Sequence, residues 1–255
     1  MSFIDAVILG IVEGLSEFLP ISSTGHLILA SRLLSLEQTE FLKMFEVVIQ
    51  LGAILSVVTL YWRRLFLEWE TMKRIALALV PSVVIGGIFY SSIKKLFESE
   101  ATVVAALFLG GIAIIAFELL HKEREDAAED ISVIPYKTAF FIGMFQTLSV
   151  IPGVSRAGAT ILGGLFLGMR RRAIVEFSFL LAVPTMIAAS AIDLTKNAGS
   201  VAESEWLLLA AGFAASFVVA ILAIKFLLRF VESHTFVPFG VYRIVVAALF
   251  FIFVI

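Results

Sequence analysis

The feature that most constrains this chain is a series of apolar runs that are long enough to cross a lipid bilayer. A crossing helix needs about 20 mostly apolar residues, because the hydrocarbon core is roughly 30 Å thick. The composition agrees, since 60% of the residues are hydrophobic and 16% are charged, which excludes a soluble enzyme, a disordered chain and a nucleic-acid binder. The sequence therefore predicts an all-α polytopic membrane protein with six transmembrane helices. The six clearest runs are residues 45–62, 75–90, 103–120, 173–192, 206–228 and 242–255.

Two further features limit the kinds of site that the chain can form and indicate how its N-terminus is processed. The sequence has no cysteine, which excludes disulfides, zinc–thiolate sites and cysteine nucleophiles. The N-terminus has no basic segment, and Glu13 and Glu17 interrupt its first apolar run, so we expect no cleavable signal peptide.

Two other apolar stretches, residues 4–34 and 138–169, are each interrupted at the middle by a loop rich in proline, glycine and serine. The interruptions read PISSTGH at residues 20–26 and PGVSRAG at residues 152–158. Non-helical backbone survives at membrane depth only where protein or trapped water satisfies its polar groups. We therefore interpret both stretches as re-entrant helix-loop-helix hairpins, which enter and leave on the same side of the membrane.

The two hairpins match one another when the sequence is shifted by 133 residues. The shift aligns identical residues whose first copies are Gly10, Leu15, Ser16, Ser22, Gly25, Ile28 and Leu29. The segment VVAALF also occurs twice, at residues 103–108 and 245–250. This ordered series predicts an internal duplication, with repeat one at residues 1–122 and repeat two at residues 135–255. Each repeat would hold one hairpin and three spans, an odd number, so we expect the second repeat to be inverted in the membrane.

The distribution of basic residues predicts the orientation of the chain. Of the 19 lysines and arginines, thirteen fall on the side away from the N-terminus and Arg156 falls inside the membrane. Basic residues are enriched in cytoplasmic loops, so both termini are expected to face outward. The five basic residues on the N-terminal side are Arg32, Lys43, Lys94, Lys95 and Lys196.

Glu13 and Glu17 are the first candidates for function, because ionisable groups inside a membrane are costly and usually functional. They stand four residues apart, which places them on one face of the first half-helix. Two neighbouring carboxylates repel each other unless a cation, a shared proton or a basic group relieves them. They therefore leave room for a divalent cation on the two carboxylates. The alternative is a helix end whose acidic residues merely reach the outer surface.

Ser23 and His26 form a second candidate pair, at the end of the first loop and the start of the second half-helix. Their spacing predicts a hydroxyl close to an imidazole, which is the pairing of a nucleophile with its base. Attack by His26 itself, or by a water activated by Glu17 or His26, fits the same residues. Ser22 or Thr24 could instead cap the following helix.

The second loop has the composition of an anion site. A helix N-terminus offers free N–H groups and a positive dipole, and Arg156 adds a bidentate fork for phosphate oxygens. Gly153, Ser155 and Thr160 would add a backbone N–H and two hydroxyl groups. We predict that the two loops meet at mid-membrane around a phosphorylated group. The alternative is that Arg156 pairs with the acidic residues of the first half-helix for structural reasons alone.

The remaining polar residues of the apolar runs give weaker signals. The repeat places Glu176 near Glu46, and Glu46 either supports the site or binds across helices. Three charged residues near the ends of predicted spans are expected to reach the membrane interface; they are Glu118, Lys225 and Arg243.

Both loops lie within longer motifs, EGLSEFLPISSTGHL at residues 13–27 and PGVSRAGAT at residues 152–160. These motifs closely resemble the two signatures of the undecaprenyl-diphosphate phosphatases, also called bacitracin-resistance proteins. Length and span pattern agree as well, so the resemblance covers essentially the whole chain. One difference is Ala157, which stands where the family usually has a second serine after the arginine.

The resemblance implies a bacterial inner-membrane enzyme that removes one phosphate from undecaprenyl diphosphate, recycles the carrier lipid for peptidoglycan synthesis and gives bacitracin resistance. It implies a site open to the periplasm and a divalent metal, which we assign as Mg²⁺ or Ca²⁺ on Glu13 and Glu17. In this interpretation Arg156 holds the phosphate, Ser23 attacks it and His26 is the general base. A secondary transporter or lipid flippase with the same inverted repeats is the rival hypothesis. The sequence leaves open whether the chain forms a homodimer.

Overall fold

A computed structural model of the chain describes residues 1–89, 96, 99–123, 127–197, 202 and 205–254. This part of the chain is built from ten α-helices and two short 3₁₀ turns, which agrees with the predicted all-α class. The helices are α1 Phe3–Ser16, α2 Ser23–Leu33, α3 Glu40–Leu67, α4 Trp69–Ile88, α5 Glu100–Leu120, α6 Tyr136–Gln146, α7 Arg156–Phe166, α8 Arg171–Asn197, α9 Trp206–Phe230 and α10 Val237–Val254. Five residues used in the span and charge predictions lie outside the described residues; they are Tyr90, Lys94, Lys95, Arg124 and Ile255.

Five of these helices, α3, α4, α5, α8 and α9, are long and apolar enough to cross a membrane by their length and composition. The last helix, α10, is apolar over the shorter stretch Val237–Ile252. These helices agree with a multi-pass membrane protein, and each of them overlaps one of the six predicted runs.

Both interrupted stretches are broken where the sequence predicts. In the first, α1 ends at Ser16 and α2 begins at Ser23. In the second, α6 and a 3₁₀ turn over Thr147–Val150 precede α7, which begins at Arg156. These four helices have 14, 11, 11 and 11 residues, or roughly 16–21 Å at 1.5 Å per residue. None of them is long enough to cross a bilayer alone.

A strained serine precedes the second helix of each pair. Ser22 has φ 75° directly before α2, and Ser155 has φ 73° directly before α7. The left-handed region costs a non-glycine residue about 1–3 kcal/mol and is typical of functional sites. The two serines are aligned by the 133-residue shift, so the same unusual turn recurs in both halves of the sequence.

The helices pack in pairs that link the two halves of the chain. Helix α1 packs on α9 and α6 packs on α4, while α3 packs on α8 and α5 on α10. In the predicted repeat, α1 corresponds to α6, α3 to α8, α4 to α9 and α5 to α10. When each helix is replaced by its counterpart, the same four pairs result. Small residues permit the close approach of α1 to α9, because a side chain at Gly10 or Gly14 would collide with backbone carbonyls of α9.

Glu118 and Arg243, which the sequence predicts to reach the membrane interface, are both buried within the protein. Arg243 is fully buried, because α10 begins at Val237, five residues before the predicted span, and carries Arg243 into the protein. The buried Glu118 carboxylate binds Arg171 and accepts a hydrogen bond from the Phe236 N–H at 2.9 Å.

The other two expectations for charged residues have different outcomes. Lys225 is exposed, and its position at the membrane interface stays a prediction. Glu176, which the repeat places near Glu46, has arginine partners instead: its Oε2 accepts from Arg64 Nη1 at 2.7 Å.

Candidate active site

The two interrupted segments meet at Glu17, whose carboxylate binds one residue from each. Glu17 follows the last turn of α1, while Ser23 and Arg156 are the first residues of α2 and α7. Ser23 Oγ donates to Glu17 Oε2 at 2.6 Å, and Arg156 Nη2 donates to Glu17 Oε1 at 3.1 Å. Both side chains of the ion pair are buried. Three residues singled out in the sequence are thus joined through one carboxylate.

Arg156 has a second anchor and a free donor. Its Nη1 donates to the Ser178 carbonyl of α8 at 2.8 Å. The Nε atom is buried, and no described residue accepts a hydrogen bond from it. Arg156 therefore pairs with Glu17, as the structural alternative required, and still has an N–H available for an oxygen of a ligand.

Glu13 lies one turn before Glu17 and is completely buried. Neither of its carboxylate oxygens has a hydrogen-bond partner within the described part of the chain. An uncompensated buried charge costs several kcal/mol, so this group requires a proton or a cation that the described side chains do not provide.

The donor set at Glu13 and Glu17 suits a hard divalent cation only in part. The described residues contain no group of three or more histidine, cysteine, aspartate or glutamate side chains that could hold a metal ion. Mg²⁺, however, is commonly bound by one or two carboxylates together with substrate phosphates and water. The two glutamates therefore fit a cation whose remaining ligands come from a phosphorylated substrate.

His26 is held by two hydrogen bonds that do not involve Ser23. Its Nδ1 lies 2.7 Å from the Ser22 carbonyl, and its Nε2 lies 2.8 Å from the Tyr242 hydroxyl. A carbonyl only accepts, so Nδ1 carries a proton, and in the neutral ring Nε2 accepts from Tyr242. The sequence paired Ser23 with His26, whereas in the structure Ser23 donates to Glu17.

The predicted phosphate-binding residues lie around the N-terminus of α7. Ser155 Oγ accepts from the Gly158 N–H at 3.1 Å and caps the helix. The Thr160 hydroxyl donates to the Arg156 carbonyl at 2.8 Å and is fully buried. Gly153 adopts φ 94° and packs closely on the Val103 carbonyl, where a side chain would not fit. The hydrogen bonds of Ser155 and Thr160 thus stabilise the first turn of α7, beside Arg156.

Sequence reasoning missed two neighbouring residues of α10, Tyr242 and Arg243. Tyr242 supplies the hydroxyl that binds His26. Arg243 forms no ion pair with any described carboxylate, and its guanidinium donates only to backbone carbonyls. The acceptors are Pro20 at 3.2 Å, Gly153 at 2.9 Å, Val154 at 3.0 Å, Ala106 at 2.9 Å and Leu107 at 3.3 Å. The buried Arg243 side chain therefore links both loops of the site to α5 through hydrogen bonds.

The fold and this cluster define a multi-pass membrane protein with a buried polar site at the meeting point of two broken helices. A family model described as bacitracin resistance protein BacA matches residues 6–249, and the chain belongs to this family.

Relatives named undecaprenyl-diphosphatase are similar to the chain over nearly its full length. The protein from Persephonella marina is 52% identical over 254 residues, which cover 100% of both chains. The protein from Sulfurihydrogenibium sp. is 51% identical over 252 residues, 99% of both chains. The protein from Aquifex aeolicus is 49% identical over 252 residues, 97% of this chain and 98% of the relative.

Proposed function

We propose that this protein is a membrane phosphatase that hydrolyses undecaprenyl diphosphate to undecaprenyl phosphate and inorganic phosphate. It would thereby recycle the carrier lipid for peptidoglycan synthesis and give bacitracin resistance. The family and the names of its full-length relatives support this activity. The observation that carries it is the hydrogen bond from Ser23 to Glu17 beside Arg156. A transporter or flippase would need no hydroxyl bound to a carboxylate at its substrate site.

The terminal phosphate is bound at the N-terminus of α7. Arg156 contributes the N–H of its unpartnered Nε, and the first turn of the helix contributes its positive dipole end. The guanidinium is fixed in place by Glu17 and by the Ser178 carbonyl, so it is already oriented when substrate arrives. Donors fixed in this way stabilise the charge that develops on the phosphoryl oxygens.

Ser23 is the nucleophile and Glu17 is its proton acceptor. Ser23 Oγ forms a bond to the terminal phosphorus while its proton moves to Glu17 Oε2, and the bond from phosphorus to the bridging oxygen breaks. Glu17 passes this proton to the departing undecaprenyl phosphate. A water then attacks the phosphoserine, and Glu17 transfers a proton from that water to Ser23 as phosphate leaves. His26 keeps the Ser22 turn in position; its attack on phosphorus, or direct attack by water, is the competing mechanism.

Glu13 and Glu17 would hold a divalent cation, Mg²⁺ or Ca²⁺, together with phosphate oxygens of the substrate. The unpartnered carboxylate of Glu13 supports this assignment. When bound, such a cation supplies charge neutralisation on the diphosphate.

The activity is tested with the purified full-length protein in detergent. We expect phosphate release from undecaprenyl diphosphate that stops when a chelator removes divalent cations and returns when Mg²⁺ or Ca²⁺ is added. A protein that binds the lipid diphosphate but releases no phosphate at any metal concentration would favour the transporter or flippase. Release that is indifferent to the chelator would remove the metal from the proposal.

The proposed architecture is a single membrane domain of two inverted repeats, residues 1–122 and 135–255. Each repeat contributes one re-entrant hairpin and three spans, with α10 as the sixth span. The exchange symmetry of the helix pairs and the strained serines that recur before α2 and α7 support this arrangement. The proposed location is the bacterial inner membrane, with both termini and the opening of the site on the periplasmic side.

The orientation predicts a clear difference between two single-cysteine variants, because the chain has no cysteine of its own. Glu37 and Lys137 are both exposed, in the loop before α3 and in the first turn of α6. In intact inner-membrane spheroplasts, we expect a membrane-impermeant maleimide to label Glu37→Cys at once and Lys137→Cys only after permeabilisation. The reverse pattern would invert the proposed orientation, and labelling of both before permeabilisation would exclude it.

A further inference from the structure

A cationic cavity lies at the junction of α3, α8 and α9, and no residue of the candidate active site lines it. Its volume is about 280 Å³. It is formed at the C-terminal end of α3 and the N-terminal end of α8. The polar part of its wall consists of Tyr61, Arg64, Arg172, Glu176 and Lys225.

The wall carries three cations and one carboxylate. Glu176 accepts from Arg64 Nη1 at 2.7 Å and lies 3.4 Å from Arg172 Nε. Lys225 is exposed and forms no ion pair with any described residue. One carboxylate neutralises at most one of the three cations, so the wall has a surplus of positive charge.

Acidic residues outside the cavity compensate this surplus only weakly. Arg172 also binds Glu232, but the side chains are 59% and 50% exposed. Arg64 lies 3.8 Å from Glu68, again with both side chains partly exposed. Exposed pairs of this kind contribute about 0–1 kcal/mol, so Glu68 and Glu232 compete only weakly with an anion for the two arginines.

The rest of the wall is apolar, and exposed apolar side chains of α9 lie beside it. Leu60, Ile224 and Leu228 line the cavity, and the neighbouring α9 side chains Leu222 and Phe226 are exposed. The backbone of α3 is non-helical at Tyr61, with φ −119° and ψ 20°, so the helix is kinked at the cavity wall. A ligand that matches this surface has an anionic head and an apolar tail.

We propose that this cavity binds the phosphate headgroup of an anionic membrane lipid. The phosphate lies between Arg64, Arg172 and Lys225, and the acyl chains follow the exposed apolar face of α9. Basic pockets between membrane helices are known to select such headgroups, and arginine binds phosphate oxygens through two parallel N–H groups. Free phosphate uses only the cationic half of this surface, which is why a lipid is the favoured occupant.

The test compares two variants that each remove one exposed positive charge near the same end of α3 and α9. Lys225→Gln changes the cavity wall, whereas Arg63→Gln changes a neighbour that stacks on the Trp62 ring and does not line the cavity. The full-length protein in detergent is titrated with dioleoyl phosphatidylglycerol, dioleoyl phosphatidylcholine or inorganic phosphate. Lipid binding is followed by thermal stability and by native mass spectrometry.

We expect phosphatidylglycerol to bind more tightly than phosphatidylcholine, and Lys225→Gln to weaken it about fivefold. Arg63→Gln should change the affinity less than twofold, and neither variant should change phosphate release from undecaprenyl diphosphate. Equal losses in both variants would indicate general surface charge and overturn the proposal. Inorganic phosphate that binds with the same dependence on Lys225 would also overturn it, because the site would then select a free anion.

Discussion

Replacing Ser23 with alanine is expected to lower phosphate release about a thousandfold or more, while binding of the lipid diphosphate changes little. The physical reason is that the variant lacks the oxygen that attacks phosphorus, whereas Arg156 and the N-terminus of α7 remain in place. Single-turnover phosphate release and equilibrium binding, measured in the same detergent, separate the two effects.

Glu17→Gln tests whether the carboxylate and the hydroxyl act as one unit. The amide cannot take the Ser23 proton, so phosphate release should also fall steeply. Residues that act together are strongly non-additive, and the Ser23→Ala/Glu17→Gln double variant should be little slower than the slower single variant. A double variant that loses the product of the two single effects would show that the hydrogen bond between them is not part of the reaction.

The matched control is Ser31→Ala on the same helix. Ser31 is fully buried and its hydroxyl has no partner among the described residues, so its removal should change phosphate release less than twofold. Near-normal release in Ser23→Ala would exclude Ser23 as nucleophile and leave His26 or a water. His26→Ala then tests the histidine nucleophile, because near-normal release in this variant would exclude attack by His26 and leave a water.

The architecture around the site could be predicted because its signals are local. Proline, glycine and serine inside an apolar run stop a helix wherever the run lies in the fold, and both breaks occur at the predicted positions. A pairing of Arg156 with an acidic residue of the first half-helix was the alternative that the sequence offered, because a charged residue at that depth needs compensation, and the structure has this pair at Glu17. In both cases a short segment of sequence contains the physical cause.

The hydrogen-bond partner of Ser23 could not be predicted, because it depends on the path of the loop. A spacing of three residues along a helix brings two side chains near one another, and this argument paired Ser23 with His26. The chain instead turns through a left-handed Ser22, which directs the first residue of α2 toward the end of α1 and Glu17. No local rule predicts a positive φ at a serine.

Arg243 was missed because a hydropathy pattern gives depth only to within a few residues. The predicted run began at Tyr242, and a basic residue at its edge is ordinarily solvated. The helix begins earlier, at Val237, so Arg243 lies about two turns inside the protein. One signal was available: Gly110 and Gly111 on α5 leave the space that the arginine side chain occupies.

Arg243→Lys is expected to lower the free energy of unfolding by about 2–4 kcal/mol although the charge is retained. The single ammonium of lysine lacks the planar fork, so it cannot reach the carbonyls of both loops and of α5 at once, and a buried loop carbonyl would lose its donor. Thermal unfolding of the purified protein measures this loss. Phosphate release should also fall, because the Pro20 and Gly153 carbonyls belong to the two loops of the site.

Gly110→Ala tests the same contact without changing Arg243. A methyl group at Gly110 would lie 2.8 Å from the guanidinium carbon, and the arginine cannot move aside without breaking its hydrogen bonds. Alanine stabilises a helix by about 1 kcal/mol relative to glycine. A loss of stability in Gly110→Ala would therefore come from the contact with Arg243 and not from helix propensity. The control is Gly86→Ala on α4, where no atom lies within 4 Å and we expect equal or higher stability. If Gly110→Ala were as stable and active as Gly86→Ala, the added methyl group would cause no costly clash with Arg243. The arginine would then not be fixed between the loops.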